Sequence, residues 1–356
     1  MSNRGLKPNY YIISLVILAL ASFFVYSWFI SSVIEPQAEQ HDEHRIFSWP
    51  DAMANNFFID NYIKHGSFVK EEPYNVALLG LIHPRSTNVF NGDIVPTGFL
   101  GMIVLYGWLG KIFTAKFIIY LTPLLASLCS LFFYGLVKRL INARAAFIAS
   151  FMLLTLAPFW YYANLSMLNT IPMIFCLLAG FYVLVKQSEI KSDQLKLVLT
   201  FAGGLLISFA IFIRYIEFIW IVLLVLVLWL FYFRKTSLMQ IAVFVFGAAI
   251  PLVTLLYYNY EIYGEVFTVG YLKMNSEADL FGRLPGEFAV QNSNSILDYI
   301  KFLIIPFGFN PKAILKTAFA FVYEFLNPYF FAFVIGGVYW LYKYVRKQLS
   351  KAQKTY

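Results

Sequence analysis

Apolar runs close to the length of a bilayer crossing recur along almost the whole chain, and they decide the fold class before any motif is read. They cover 11–34, 117–137, 145–162, 171–185, 197–213, 216–233, 238–258 and 328–344. A membrane-spanning helix needs about 20 consecutive apolar residues, because each adds about 1.5 Å and the hydrocarbon core is about 30 Å thick. The chain is 60% hydrophobic and 13% charged, with a mean hydropathy of +0.68, which excludes an ordinary soluble globule. The expected fold is an all-α polytopic membrane protein, a single transmembrane domain over 1–356. About 8–10 spans are expected, with a long outer first loop that carries interfacial helices.

The net charge of +8 would suit nucleic acid if it were gathered in one patch, but it is not. Basic residues sit in short turns (Lys138, Arg139, Arg144; Lys186, Lys191, Lys196; Arg234, Lys235) and in the tail from Lys343 to Lys354. That is the positive-inside pattern, which assigns these turns and both termini to the cytoplasm. No nucleic-acid partner is expected. By contrast, 35–93 holds nine acidic residues against four basic ones, and 259–300 is similarly acidic. Both are expected to face outward, as a first and a second outer loop of an inner-membrane protein. The first apolar run is too long for a signal-peptide core and reads as a retained span. Cys129 and Cys176 lie inside apolar runs and point to neither disulfides nor metals.

Counting crossings leaves one conflict. If 35–93 is outside and the basic turn near Lys138 is inside, then 94–116 cannot cross completely. Pro96, Gly98, Gly101, Gly107 and Gly110 make it a poor rigid rod. It reads as an intramembrane or interfacial helix lining a cavity, because broken backbone at that depth needs protein or a wet cavity to cover it. The segment 300–326, interrupted by Pro306, Gly308 and Pro311, reads as a dipping hairpin or an amphipathic surface helix. No internal repeat is evident.

The outward polar residues carry whatever chemistry there is. Asp51 follows Trp49-Pro50 and opens a stretch with helical apolar spacing. It is read as a helix cap, or as a general base held at the water–lipid boundary. His83-Pro84-Arg85-Ser86 offers a guanidinium fork suited to phosphate, or else an arginine paired with a carboxylate of the same loop. Arg214 and Glu217 interrupt an apolar stretch from 197 to 233. Ionisable groups there are costly unless paired or wet. Arg214 either snorkels from a plain turn or faces the same cavity as Asp51 and Arg85. His41 and His44 have helical metal-ligand spacing without a third ligand, and no metal is expected. Asn164-Leu165-Ser166 is a formal glycosylation sequon in a tight aromatic turn.

In order along the chain come Pro50-Asp51, Ala54, Tyr62, Gly66-Ser67-Phe68, His83-Pro84-Arg85, Pro96, Phe99-Leu100-Gly101, Leu168-Asn169-Thr170-Ile171-Pro172, Gly203-Gly204, Arg214-Tyr215, Tyr258-Asn259, Tyr263-Gly264 and Gly270-Tyr271. This order resembles the GT-C superfamily of membrane glycosyltransferases, in particular members related to protein mannosyltransferases and aminoarabinose transferases. The likeness covers most of 10–275.

The resemblance implies an inverting transfer of sugar from a polyprenyl-phosphate donor to a hydroxyl of a lipid, protein or glycan acceptor. The transfer would take place at the outer membrane face. It makes Asp51 the base, and His83, Arg85 and Arg214 the holders of the lipid phosphate. Glu217, Asn169 and Tyr62 become supporting or acceptor-side residues. Asn169-Thr170 stands where many relatives carry Asp, and Glu217 is the candidate replacement. No cofactor is expected, although use of a divalent metal varies across the superfamily. The other readings are a lipid-linked-sugar transporter or flippase and a non-catalytic membrane scaffold. A transporter would be expected to show repeats and mid-membrane charge.

Overall fold

The computed structural model describes residues 9–38, 47, 49–78, 80–232, 236–273, 310–320, 323, 334–339 and 342. The chain divides into two compact units, one of Met1–Thr155 with Phe159–Pro306 and one of Leu156–Pro158 with Phe307–Tyr356. Of the second unit, the main described element is an exposed helix, Pro311–Ala320, within the segment for which a hairpin or a surface helix was expected.

In the first unit, five helices are long and apolar enough to cross a membrane: α1 (Asn9–Ala38), α5 (Ala115–Leu140), α8 (Thr170–Gln187), α9 (Asp193–Ile213) and α11 (Leu238–Tyr263). The protein is therefore a polytopic α-helical membrane protein. Two further helices, α6 (Ala143–Thr155) and α7 (Ala157–Asn164), meet at a 56° bend and make a sixth span if taken together. The sequence reading expected about 8–10 spans. Among the described residues, α4 (Leu100–Ile112) and α10 (Phe218–Tyr232) are shorter, and most of the 328–344 run lies outside them.

Local chemistry sets the helix ends. Thr114 and Ser192 accept hydrogen bonds from Phe117 N and Leu195 N at the starts of α5 and α9. Ser237 and Gln240 form a reciprocal capping box on α11, satisfying donors that a helix start leaves orphaned. Lipid tails are as apolar as leucine, so the spans associate through close backbone approach and interhelical hydrogen bonds. A Cβ on Gly204 would run into the backbone of Phe244, and one on Gly247 into that of Phe201. The Ser208 hydroxyl donates to Ala248 O at 2.7 Å, which clamps α9 to α11.

These contacts fix which helix ends lie together. Ser31 near the end of α1 meets Tyr120 early in α5 at 3.1 Å, and Ser166 before α8 donates to Ile119 O. Leu15 early in α1 packs with Tyr134 late in α5 and Ala146 of α6. The basic turns 138–144 and 186–196 therefore gather at one end of the bundle. The start of α5, the start of α8 and the ends of α1, α9 and α11 gather at the other.

That second end carries the segment 47–113. Helix α2 (Pro50–His65) starts with proline, whose missing N–H costs nothing there, and stops at Gly66 with φ 80°. After the single turn α3 (Tyr74–Ala77), strands β1 (Thr87–Phe90) and β2 (Asp93–Pro96) pair antiparallel, Phe90 opposite Asp93. Their turn is Asn91-Gly92 with φ 55° and 91°, both in the left-handed region that a two-residue hairpin requires. The chain thus enters 94–116 as strand rather than helix. Helix α4 follows and packs first on α2, with Gly107 against Tyr62 and Gly110 against Ile63. It also meets bundle-end residues: Gly101 abuts Phe212 and Ile213, Tyr106 shares a 2.9 Å hydrogen bond with Thr122, and Trp108 donates to Tyr258. With 13 residues it is shorter than the helices long enough to cross, and these contacts hold it at this end of the bundle.

Candidate functional site

Four chain segments meet where α4 begins. Gly101 lets α4 touch the backbone of Phe212 and Ile213, which brings Phe99 beside Arg214. The Arg214 guanidinium lies over the Phe99 ring, 5.8 Å from its centre, a favourable cation–π placement. Gly270 allows the short helix α12 (Gly270–Lys273) to rest on the carbonyls of Pro96 and Thr97. The Tyr263 hydroxyl donates to Pro96 O at 2.6 Å from the end of α11. The Tyr271 ring then stands 5.8 Å from that of Phe99, with Tyr215 packed 4.9 Å from the same ring.

Arg214 ends α9 and is 25% exposed. One arm donates to Thr170 Oγ1 at 3.3 Å and the other pairs with Glu217 at 3.1 Å. Glu217 sits in the 3-10 turn Tyr215–Glu217 and also accepts from the Trp220 indole. The Arg214 Nε–H is buried and has no hydrogen-bond partner among the described residues. A buried donor left open costs about 1–3 kcal/mol, so the guanidinium is held with capacity for one more acceptor. Asn169, beside Thr170, likewise has a buried Oδ1 without a partner.

Asp51 lies in the first turn of α2, where the N-cap is Trp49 and no side chain caps the helix. Its carboxylate is exposed. One turn further on, buried Asn55 donates to Met167 O at 2.8 Å, tying this helix to the loop that leads to Asn169 and Thr170. The Tyr271 phenol feels both charged groups. Burial raises it above the ordinary tyrosine value, the Asp51 charge raises it further, and Arg214 lowers it. Asp51, Arg214, Glu217, Asn169 and Tyr271 thus belong to one locality.

His83 and Arg85 are exposed and lie apart from these contacts. The His83 Nδ1 is 3.1 Å from Pro84 O and 3.3 Å from Thr87 Oγ1. Arg85 makes no ion pair with the described residues, and Ser86 after it has φ 64°. Thr87 pairs with Pro96, so Arg85 leaves the hairpin on the side where Thr97 and Phe99 enter the site. Tyr62 is about three helical turns from Asp51. It stacks on Phe68 at 4.1 Å and carries Lys111 Nζ 4.5 Å from its ring centre, a packing arrangement remote from Arg214. Ser166 of the sequon is buried. His41 and His44 lie outside the described residues.

Tyr271, Phe99 and Thr170 had no role assigned from sequence. Their one signal is their place in the ordered motifs that carry the resemblance, since the contacts that matter join positions far apart in the chain. No protein-family model matches the chain, and no curated protein matches it significantly in sequence.

Proposed function

We propose that the protein is an inverting glycosyltransferase that moves a sugar from a polyprenyl-phosphate donor to a hydroxyl acceptor at the outer face of a cell's inner membrane. The observation that carries this reading is the meeting of two segments: the helix of Asp51 is tied through Asn55 to the 167–170 loop, and Arg214 binds Thr170 of that loop and lies over Phe99, beside Tyr271. In this mechanism Asp51 takes the proton of the acceptor hydroxyl. The oxygen attacks the anomeric carbon from the face opposite the phosphate, and the bond between that carbon and the phosphate oxygen breaks. Arg214 receives the anionic leaving group, with His83 and Arg85 approaching from the hairpin side. Fixed positive charge at the point where negative charge develops is the largest catalytic term in most enzymes. Phosphate leaves without a proton, so a single base suffices, unlike the acid and base pair of glycoside hydrolysis.

Thr170 and Glu217 act on Arg214 as positioning residues, and Trp220 holds Glu217 in turn. Thr170 and Glu217 hold two directions of the guanidinium and leave Nε–H for the ligand. In this reading the basic helix ends are cytoplasmic, both termini included, and 35–93 and 259–300 are outer loops. α2 and α4 lie at the interface, and α10 completes the transmembrane set.

The test is transfer from a panel of polyprenyl-phosphate sugars by purified protein in lipid, wild type against Asp51→Asn. Loss of transfer with donor still bound supports the reading. Donor binding without transfer by the wild type turns it toward a transporter or scaffold, and absence of donor binding removes it.

A further inference from the structure

A second site lies at the opposite end of the bundle. Between α8, α9, α10 and α11 there is a cavity of ≈ 290 Å³, lined by Leu184, Gln187, Thr200, Val225, Trp229 and Phe244 among others. These residues come from the last turns of α8, the early part of α9, the second half of α10 and the first turns of α11. The cavity therefore lies toward the end that carries the basic turns, remote from Asp51 and Arg214.

Its exposed lining is almost wholly apolar; of the polar side chains in its wall, the Thr200 hydroxyl is spent on Lys196 O at 2.7 Å and Gln240 on the Ser237 capping box. Water entering it would find too few hydrogen-bond partners, and apolar cavities of this kind stay dry and take apolar guests. Left empty, the lining atoms would lack dispersion partners on one side. One wall is α10, which packs more sparsely on α9 than α8 and α11 do. Hydrocarbon is the medium that reaches a gap between spanning helices.

The rim supplies charge. Lys186 immediately precedes Gln187, and Lys196 stands one turn before Thr200. Across 138–144 and 186–196 there are six basic side chains against two acidic ones. Glu189 is engaged by Arg139 at 2.8 Å and Asp193 by Lys196 at 3.0 Å. The Lys196–Asp193 pair is exposed and weak, so Lys196 can exchange it for a headgroup; the net charge is positive, and juxtamembrane lysines attract anionic headgroups.

We propose that this cavity holds an acyl chain of an anionic phospholipid from the leaflet at the basic end, with its headgroup beside Lys186 and Lys196. The bound lipid fills the space between α10 and the α8–α9–α11 group. The proposal is independent of the transfer reaction, and its failure would leave that reading untouched.

The test is native mass spectrometry of the full chain, stripped of lipid and titrated with phosphatidylglycerol, phosphatidylcholine or polyprenyl phosphate. The wild type should retain one phosphatidylglycerol about tenfold more strongly than phosphatidylcholine. Val225→Trp, which fills the cavity, should lose it. The Lys186→Gln, Lys196→Gln double variant, which leaves the cavity intact, should hold both phospholipids equally. Should Val225→Trp not fold, the double variant decides. Equal retention of the two phospholipids by the wild type, an unchanged preference in the double variant, or retention by a folded Val225→Trp overturns the proposal. Displacement of phosphatidylglycerol by polyprenyl phosphate overturns it as well, assigning the cavity to an isoprenoid tail.

Discussion

The side-chain amide of Asn55 donates to the carbonyl oxygen of Met167 across 2.8 Å. Met167 has φ 64° and is 1% exposed, so a bulky residue is held in the left-handed region at the turn between α7 and α8. The bond links the helix of Asp51 to the loop that carries Thr170, the partner of Arg214. Asn55→Ala leaves that carbonyl without its buried donor, at a cost of about 1–3 kcal/mol. The variant is expected to melt at a lower temperature in detergent and to lose transfer activity. An unchanged melting temperature would mean that Met167 O finds another donor and that the link is dispensable.

Arg214 uses the span of its guanidinium to reach Thr170 and Glu217 at once. A lysine keeps the charge but cannot make both contacts and still present a donor in the plane of the fork. Arg214→Lys is expected to raise KM for a polyprenyl-phosphate donor about tenfold or more, with less effect on thermal stability. Donor titration of the two proteins measures this, and equal affinities would remove Arg214 from the phosphate site.

Gly101 is the point at which α4 touches α9. A methyl there collides with the backbone of Phe212 and Ile213, and neither can rotate away. Gly101→Ala is expected to destabilise the fold by about 1–3 kcal/mol, the usual cost of overpacking. It should also depress kcat, because Arg214 is the next residue after Ile213. Parallel melting curves and rate measurements test both parts.

The raised Tyr271 phenol gives a pH signature. A proton held more tightly in the folded state stabilises fully below the unfolded value of about 10. That contribution declines as pH climbs above about 10 toward the higher folded value. Tyr271→Phe should therefore lose less stability than the wild type between neutral and strongly alkaline pH. Parallel alkaline limbs in the two proteins would refute the assignment.

Much of the helical frame is legible in the sequence because a long apolar run has few other structures open to it. The runs 117–137, 171–185, 197–213 and 238–258 correspond to α5, α8, α9 and α11, with boundaries shifted by caps such as Thr114 and Ser237. The interruption at Arg214 and Glu217 was visible for the same reason, since charge inside hydrocarbon needs an explanation. The hairpin was also written in the chain, as Asn91-Gly92 between Val89-Phe90 and Ile94-Val95, but the nearby glycines and prolines equally suit a broken helix. Tyr271 stood out only as half of the Gly270-Tyr271 pair, with no role attached. Its place beside Phe99 depends on Gly270 fitting against Pro96 and Thr97, a match of backbones that no local pattern encodes.

The way α4 is held at the bundle end has a consequence for biogenesis. Its start is braced by Phe212 and Ile213, and the strand before it is secured by Tyr263, whose bond to Pro96 spans 167 positions. When the ribosome has delivered Asp51, the hairpin and α4, the surfaces that hold them have not yet been made. The early segment must wait, partly exposed, until α9 and α11 are inserted, and the Asp51–Arg214 locality closes only after most of the chain has been synthesised. A nascent chain halted before Tyr263 would carry Asp51 and Arg214 without the last brace that brings them together.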